Sequence, residues 1–397
     1  MADAAREAWI TGIGIVSNLG EGLDAHWDAL TAGRPQPDTK TFAPYIVHPL
    51  APINFDKQIP KKGDQRQMEP WQRIGTYAAG LALESAGVKS NAELLASMDM
   101  IVAAGGGERD FAVDANIMTG VAGAADEGVY LNEQLMSGLR PTLFLAQLSN
   151  LLAGNVSIVH GVTGSSRTFM GEEAAGFDSL RIALSRITAG QSNIGLVGGG
   201  FNAERPDMLM LKEFGGYNLK NEFRPVWQRG PQGGLAMGSF GAFLVIEERS
   251  HADARGAKRI ARLSAVQSDR CKRQPGDVTA SLENLWKTLS GRIESGGCAA
   301  LSGASGAEPA TGEERTFFAQ HADIPVRASG TFVGHADEPS FAMNVALAAL
   351  ALSRGSLYPP FDESGVERPM TGQLRQIVVT GVGHAWGEGM ALVEAGS

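Results

Sequence analysis

Short apolar runs of strand length alternate with longer segments of helical periodicity along the whole chain. An apolar run without polar alternation is typical of a strand buried on both faces, and helices between such strands favour a parallel sheet. We therefore predict an α/β fold with a largely parallel sheet. Strands are expected at 9–15, 99–104, 193–197, 240–247, 259–268 and 376–380, and helices at 23–30, 68–86, 141–153, 173–189 and 340–354.

Two stretches of similar character suggest an internal duplication. The run AWITGIGIV at 8–16 and the run RIARLSAV at 259–266 each open a series of strands and helices. A charged turn at 249–257 lies between the two series. We predict two halves, residues 1–250 and 251–397, without a long linker between them.

The glycine-rich first strand invites comparison with dinucleotide-binding proteins. Gly12-Ile13-Gly14 follows a strand, but Ser17 stands at the third glycine position, and no acidic residue ends a second strand about 20 residues later. A tight turn explains these glycines better. We expect no nucleotide or other cofactor.

Charge and cysteine content exclude several classes of protein. The net charge of −9 argues against nucleic acid and against an anionic membrane as partners. Cys271 and Cys298 are far apart and in no CxxC spacing, so neither a disulfide framework nor a zinc site is expected. The first residues lack the apolar core of a signal peptide, and the apolar stretch at 342–352 is too short to span a membrane. We expect a cytoplasmic protein without a metal.

Several segments, in order over nearly the whole chain, resemble the β-ketoacyl-acyl-carrier-protein synthases of the elongating type. The opening WITGIGIVSNLGEGLDAHWDALTAG is similar to that family's first strand, turn and helix. The other segments are the R-x-M of Arg66 and Met68, LRPTLFLAQLSNLLAGNVSIVHGVTG, RPVWQRGPQGGLAMGSFGAFLVIEERSHADARGAK and VRASGTFVGHADEPSFAMNVALAALALSRGSLYPP. This resemblance implies a thiolase fold, with two βαβαβαββ halves in five αβαβα layers and the active site where the halves meet. It also implies a dimer and substrates carried as thioesters on acyl carrier protein.

The nucleophile position of the resembled family holds a glutamate in this chain. In the family a cysteine starts a buried helix, whose N-terminus lowers the thiol pKa. Counting back from the strand NIGLVGGG places Glu173 there, within GEEAAGFDSL, and Glu172 is one residue away. The segment resembles the chain-length-factor subunits of type II polyketide synthases, which carry a glutamine at this place. A carboxylate is a poor nucleophile toward a thioester, although Glu173 could also be only a helix N-terminal residue that favours the dipole.

Only one of the family's two histidines is retained. Ser302 stands at the first histidine position and can donate a hydrogen bond, but it is neither a cation nor a base near neutrality. Ser302 and Ser305 could equally be turn residues. His335 matches the second histidine, and either points into the pocket or has a structural role.

Other functional positions of the family also differ. Gly330 aligns with its lysine, Ser239 with the glutamate of G-E-G-A-G, and Trp227 with the aspartate of R-P-F-D. Ala336-Asp337-Glu338-Pro339 replaces a run of small residues, and the loop at 381–386 aligns only loosely with the family's G-F-G-G-T-N. Catalytic positions have changed while the scaffold is intact.

These substitutions favour a non-catalytic subunit that pairs with an active β-ketoacyl synthase and sets chain length in fatty-acid or polyketide elongation. One alternative is an enzyme with a non-standard site, such as an active synthase or acyltransferase, or a malonyl-thioester decarboxylase, using Glu173 and His335. Another is a scaffold for an assembly of carrier proteins.

Overall fold

The architecture is taken from a computed structural model that describes residues 6–107, 109–139, 143 and 147–396. The strands are β1 (Ala8–Ser17), β2 (Gly20–Glu21), β3 (Val47–His48), β4 (Asp99–Ala103), β5 (Ser166–Phe169), β6 (Ile194–Phe201), β7 (Met237–Gly238), β8 (Phe240–Glu248), β9 (Ala261–Asp269), β10 (Cys298–Ser302), β11 (Val326–Ala328), β12 (Gln376–Val382) and β13 (Glu388–Ala395).

Helices connect and cover these strands. They are α1 (Gly22–Thr31), α2 (Lys62–Gln67), α3 (Pro70–Ser85), α4 (Ala92–Ser97), α5 (Phe111–Val121), α6 (Glu127–Gly138), α7 (Leu151–His160), α8 (Glu172–Thr188), α9 (Pro206–Phe214), α10 (Arg249–Ala254), α11 (Asp277–Leu289), α12 (Ala310–Gln320), α13 (Gly330–Val333) and α14 (Ser340–Ser353). Short 3₁₀ turns lie at Phe55–Lys57, Val226–Gln228 and Ser290–Arg292.

The strand order repeats in the two halves of the chain. One half runs β1-β8-β6-β4-β5 and the other β9-β13-β12-β10-β11, and the two are joined where Trp9 and Ile10 pair with Arg262 and Ala261. In each half the outer three strands are parallel, and the other two pair antiparallel. The predicted duplication is therefore confirmed in the topology, while the division at residue 250 stays a prediction.

The prediction of a largely parallel sheet is wrong, because β1, β8, β9 and β13 are antiparallel to their neighbours. A physical reason is visible at β12 and β13, which are joined by only five residues, 383–387. A connection of that length can join antiparallel strands, whereas parallel strands need a crossover of a dozen residues or more. Buried apolar runs did not distinguish the two arrangements.

Two helices form the central layer. Helix α8 packs on strands of both halves, including β6 and β9, and α14 packs on β8 and β12. Helix α14 is apolar on all sides and buried from Phe341 to Leu352, as expected of a helix packed between the strands of the two halves. Helices α3 and α7 cover the first half, and α11 and α12 the second. The five-layer thiolase architecture is thus confirmed.

Most predicted elements are present, with small shifts at their ends. The helix predicted over 141–153 is different: residues 141, 142 and 144–146 lie outside the described part, and the observed helix, α7, runs from Leu151 to His160. Within the described ranges, no helix is long and apolar enough to cross a membrane.

Candidate functional site

Glu173 lies in the first turn of α8, at the buried junction of the two halves. The chain enters this helix through Gly171 at φ 128° and Glu172 at φ 54°, a left-handed conformation that non-glycine residues adopt rarely. One turn into the helix, a Cβ at Gly176 would lie 2.5 Å from the carbonyl oxygen of Glu338. The helix start is therefore pressed against the loop that carries the second half's part of the site.

His335 follows α13 and reaches the same place from the second half. Its backbone N–H donates to the carbonyl of Ala236 at 2.9 Å. Gly334, at φ 74°, permits this close approach, since a Cβ there would lie 2.9 Å from the same carbonyl oxygen. His335 Nε2 lies 2.7 Å from Glu173 Oε1 and 3.4 Å from Asp337 Oδ1. The structure thus brings Glu173 and His335 into direct contact.

His384 is a second imidazole at the site, and it comes from the loop between β12 and β13. Its Nδ1 lies 2.8 Å from Glu173 Oε1, and its backbone N–H donates to the same oxygen at 3.1 Å. The loop is held by Arg273, whose Nη2 donates to the carbonyl of Gly383 at 2.7 Å. Three N–H groups therefore surround one carboxylate oxygen.

Lys212, on α9, completes the cluster with a buried ammonium group. Its Nζ lies 2.9 Å and 3.1 Å from the two carboxylate oxygens of Asp337, and both side chains are almost fully buried. The same Nζ lies 3.0 Å from His384 Nε2. Since an ammonium group only donates, His384 Nε2 accepts and the ring proton sits on Nδ1, facing Glu173.

The buried charges shift one another's pKa. Burial alone would lower the pKa of His335, but hydrogen bonds to Asp337 and Glu173 and their negative charges raise it to about 9. Burial would raise the pKa of Glu173, but the imidazoles of His384 and His335 hold it well below its usual range. At neutral pH the site therefore contains an ionised Glu173 and a protonated His335.

Two further acids line the cluster. Burial, with the charge of Asp337, raises the pKa of Glu338 to about 8, so this side chain is protonated near neutrality. Burial also raises the pKa of the half-buried Glu172, whose carboxylate lies 3.9 Å from His384 Nε2. A Cβ at Gly105 would lie 2.6 Å from Glu338 Oε1, so a larger residue there would displace the carboxyl group of Glu338. The neutral Glu338 adds no charge to the site.

The cluster has a composition that a metal ion could use. Donor atoms of Glu173, His335, Asp337 and His384 all lie within 4.8 Å of one another, and imidazoles with carboxylates suit zinc. However, Lys212 already donates to both Asp337 and His384, and the His384 proton lies on the nitrogen that would have to bind the ion. The geometry fits a network of ion pairs better than a metal centre.

Ser302 does not take part in this cluster. It ends β10, where its Oγ donates to Glu314 Oε1 at 2.8 Å and accepts from the backbone N–H of Ala304. Thr380 also donates to Glu314, and burial raises the pKa of that carboxyl to about 7. Ser302 thus caps a turn and binds the buried Glu314 instead of the cluster around Glu173.

The other altered family positions are buried in polar or aromatic packing. Ser239 Oγ accepts from the backbone N–H of Ala203 and donates toward Asn202 and Glu204. Trp227 packs edge-on against Phe318. Gly330 lines a small cavity beside His335, together with Gly303, the residue after Ser302. The open volume of this cavity is only about 10 Å³, enough for about one water molecule. A larger pocket, of about 510 Å³, lies elsewhere, between α1 and the end of α14.

Neither cysteine contributes to the site. Cys298 is buried in β10, and burial raises its thiol pKa to about 12. Cys271 is half-buried beside Arg273 and Glu388, and its pKa is also raised, mainly by burial. Both thiols are protonated at neutral pH, which makes them weak nucleophiles.

Sequence reasoning missed His384, Lys212 and Asp337. His384 and Asp337 lie in the two loops whose sequences depart from the resembled family, at 381–386 and 336–339. New titratable residues in both loops were the available signal. Lys212 gave no such signal. In α9 the lysine is buried while the apolar Met210, Leu211 and Phe214 are exposed, which is the reverse of what their hydrophobicity predicts.

Comparisons of the sequence with protein-family models and with curated proteins agree on one protein family. The family model of the β-ketoacyl synthase N-terminal domain matches residues 5–252. The 3-oxoacyl-(acyl-carrier-protein) synthase 2 of Vibrio cholerae is 26% identical over 267 residues, which are 64% of this chain and 60% of that protein. The match spans less than two thirds of that relative's length.

Solved structures share the fold over nearly the whole chain. The ishigamide ketosynthase/chain length factor has a TM-score of 0.81 at 18% identity and covers 99% of this chain and 100% of its own. A type II polyketide synthase acyl carrier protein in complex with its ketosynthase gives a TM-score of 0.73 at 16% identity, over 98% and 99% of the two chains. At this identity, the likeness shows the fold alone.

Proposed function

Because the chain belongs to the β-ketoacyl synthase family, we propose that it is a non-catalytic subunit that pairs with an active β-ketoacyl synthase. In this role it shapes the partner's acyl tunnel and sets chain length, as chain-length factors do. Its pathway is fatty-acid or polyketide elongation on acyl carrier protein, in the cytoplasm.

One observation carries the proposal: the carboxylate of Glu173, which the sequence resemblance aligns with the family's cysteine, is bound by the imidazoles that surround it. Acyl transfer needs a thiolate at this place and free donors for the thioester oxygen. A carboxylate with a lowered pKa is a weak nucleophile, and an acyl-glutamate is a mixed anhydride, uphill from a thioester.

The closed site supports the same conclusion. Only about 10 Å³ of open space lies beside His335, whereas pockets for drug-sized ligands have a volume of a few hundred Å³ or more. Substrate entry would require the ion pairs of Glu173 to separate. A subunit that shapes its partner's tunnel has no such requirement.

The outer edge of β5 supports pairing with a protein of the same fold. This strand ends the sheet, and within the described ranges its only neighbour is β4. The carbonyl of Ser165, just before β5, accepts from Met100, and that of Phe169 accepts from Ala104, just after β4. The backbone groups of Ser166 and Thr168 therefore point outward, away from β4. Exposed Ile158 and Met170, 72% and 66% accessible, flank this edge. Unpaired backbone beside large apolar side chains is typical of an interface.

Purification of the tagged chain from its native host tests the proposal. We expect a stoichiometric partner of the same family that carries a cysteine and two histidines at its site. Recovery of the protein as a monomer or homodimer that elongates acyl thioesters unaided would contradict the proposal.

A second function, decarboxylation of a malonyl thioester, is favoured by one observation. Sequence reasoning found one histidine at the site, whereas the structure has two, His335 and His384, in reach of one oxygen position. Two such donors could hold a thioester oxygen while carbon dioxide leaves. The thioester oxygen can reach these donors only after the Glu173 carboxylate has moved away. If this alternative holds, Glu173→Ala, which removes the carboxylate, should therefore raise the rate of malonyl-thioester decarboxylation.

A further inference from the structure

The three N–H donors beside Glu173 all point to one of its two carboxylate oxygens. His335 Nε2, His384 Nδ1 and the His384 backbone N–H lie 2.7, 2.8 and 3.1 Å from Oε1. The other oxygen, Oε2, is buried and receives no hydrogen bond from the described residues. A buried carboxylate oxygen without a partner costs free energy, so the donors are not optimised for this side chain as a structural residue.

Each donor is held in place by a group other than Glu173. Lys212 fixes the His384 ring through Nε2, and Arg273 holds the His384 loop through the carbonyl of Gly383. His335 is held by its backbone hydrogen bond to Ala236 and by the carboxylate of Asp337. We therefore expect the donors to keep their positions when the Glu173 side chain is shortened.

The charge of the surrounding groups also favours an anion. Among the buried groups that are charged at neutral pH, Lys212 and His335 are positive, and Asp337 and Glu173 are negative. Without Glu173 these buried groups have one uncompensated positive charge, and a further carboxyl, that of the half-buried Glu172, lies 3.9 Å from His384 Nε2. Burial makes that charge costly, so a small anion would be strongly favoured at the position of the lost carboxylate.

We propose that His335 and His384, whose ring Lys212 holds in place, form a preorganised pocket for a small carboxylate, and that Glu173 is its built-in ligand. Glu173 thereby closes the pocket to any outside carboxylate or thioester oxygen. The inference deepens the proposed function, since it gives the reason why the site is inert, but its test uses the isolated chain and no partner subunit. Failure of pairing and failure of this inference are therefore distinguishable.

Chemical rescue tests the proposal. Glu173→Ala removes an acetate-sized group, and Glu173→Gly removes a propionate-sized one. In thermal denaturation, we expect acetate at about 100 mM to raise the Tm of Glu173→Ala by roughly 2 °C or more relative to equal ionic strength of chloride. Glu173→Gly should respond more to propionate than to acetate.

Three proteins serve as controls. The wild type and Glu173→Gln have a filled pocket and should show no carboxylate-specific shift. Glu314→Ala removes another fully buried glutamate, one held by the hydroxyls of Ser302 and Thr380 instead of cationic groups, and should not be rescued. If acetate stabilises Glu173→Ala no more than Glu314→Ala, or fails to restore folding to a Glu173→Ala protein that is unfolded in chloride, the proposal is wrong.

Discussion

Glu173 Oε1 and His335 Nε2 lie 2.7 Å apart, although the two residues are separated by 162 positions and belong to different halves of the fold. Both are buried, so water screens their interaction little. The pair joins the N-terminus of α8 to the loop after α13. With His384, Lys212 and Asp337 the two residues form an internal ion network.

The first prediction concerns covalent catalysis. Because both thiols have raised pKa values and neither lies at the site, the purified chain should form no acyl-enzyme with thioesters of acyl carrier protein. Intact-mass spectrometry after incubation measures this, with an active synthase as positive control. An adduct on Glu173, Cys271 or Cys298 that turns over with malonyl thioester would refute the prediction.

The second prediction concerns pH. The pKa of His335 is raised from 6.5 to about 9 in the folded state, so the stabilisation that its proton provides is complete below pH 6.5. It is lost as the pH rises through about 9, by an amount on the order of 3 kcal/mol. Urea denaturation at a series of pH values measures the free energy of unfolding.

His335→Gln is the control for this pH dependence. The variant has no titrating group at this position, so its stability should change less between pH 6.5 and 9 than that of the wild type. Parallel curves for the two proteins would show that the His335 proton is not stabilised by folding.

The third prediction concerns the buried pair of Lys212 and Asp337. Lys212→Met leaves the carboxylate of Asp337 buried without its cation, which should lower the free energy of unfolding by about 3–5 kcal/mol. Adding Asp337→Asn, which suits the left-handed backbone at φ 44°, should restore part of the loss. A double-mutant cycle without coupling between the two positions would contradict this prediction.

The fourth prediction concerns association through β5. Thr168→Pro removes an N–H that points away from β4, so the chain should keep its thermal stability and lose its synthase partner in size-exclusion chromatography. Arg167→Pro is the matched control, because the N–H of Arg167 faces β4 and its loss should lower the Tm. Retention of the partner by a folded Thr168→Pro variant would place the interface elsewhere.

The sequence predicted the fold well, because the strand and helix patterns and the order of family-like segments reflect packing that relatives share. The sequence also singled out Glu173, from the pattern GEEAAGFDSL and the strand after it, and His335, from the pair Gly334-His335. The structure places the two side chains in contact, while their equivalence to the family's catalytic positions stays a prediction. The direction of strand pairing was not predicted, because a buried apolar run has the same composition in parallel and antiparallel sheets.

The rest of the site depended on contacts between distant loops. His384 and Lys212 lie 172 positions apart and meet only in the folded chain. Ser302 was placed at a site position by alignment, yet its hydroxyl binds Glu314. A motif position fixes where the backbone of a residue lies, but not which neighbours its side chain finds.

The most direct test of the account is chain elongation by the reconstituted complex of this chain and its synthase partner, with wild-type subunit and with Glu173→Gln. The substitution keeps the shape of the side chain and removes its charge, and should lower stability because a buried positive charge loses its partner. A non-catalytic subunit predicts nearly unaltered turnover and product length. With folding intact, a fall in turnover on the order of a hundredfold, as expected on loss of a catalytic acid or base, would contradict the account.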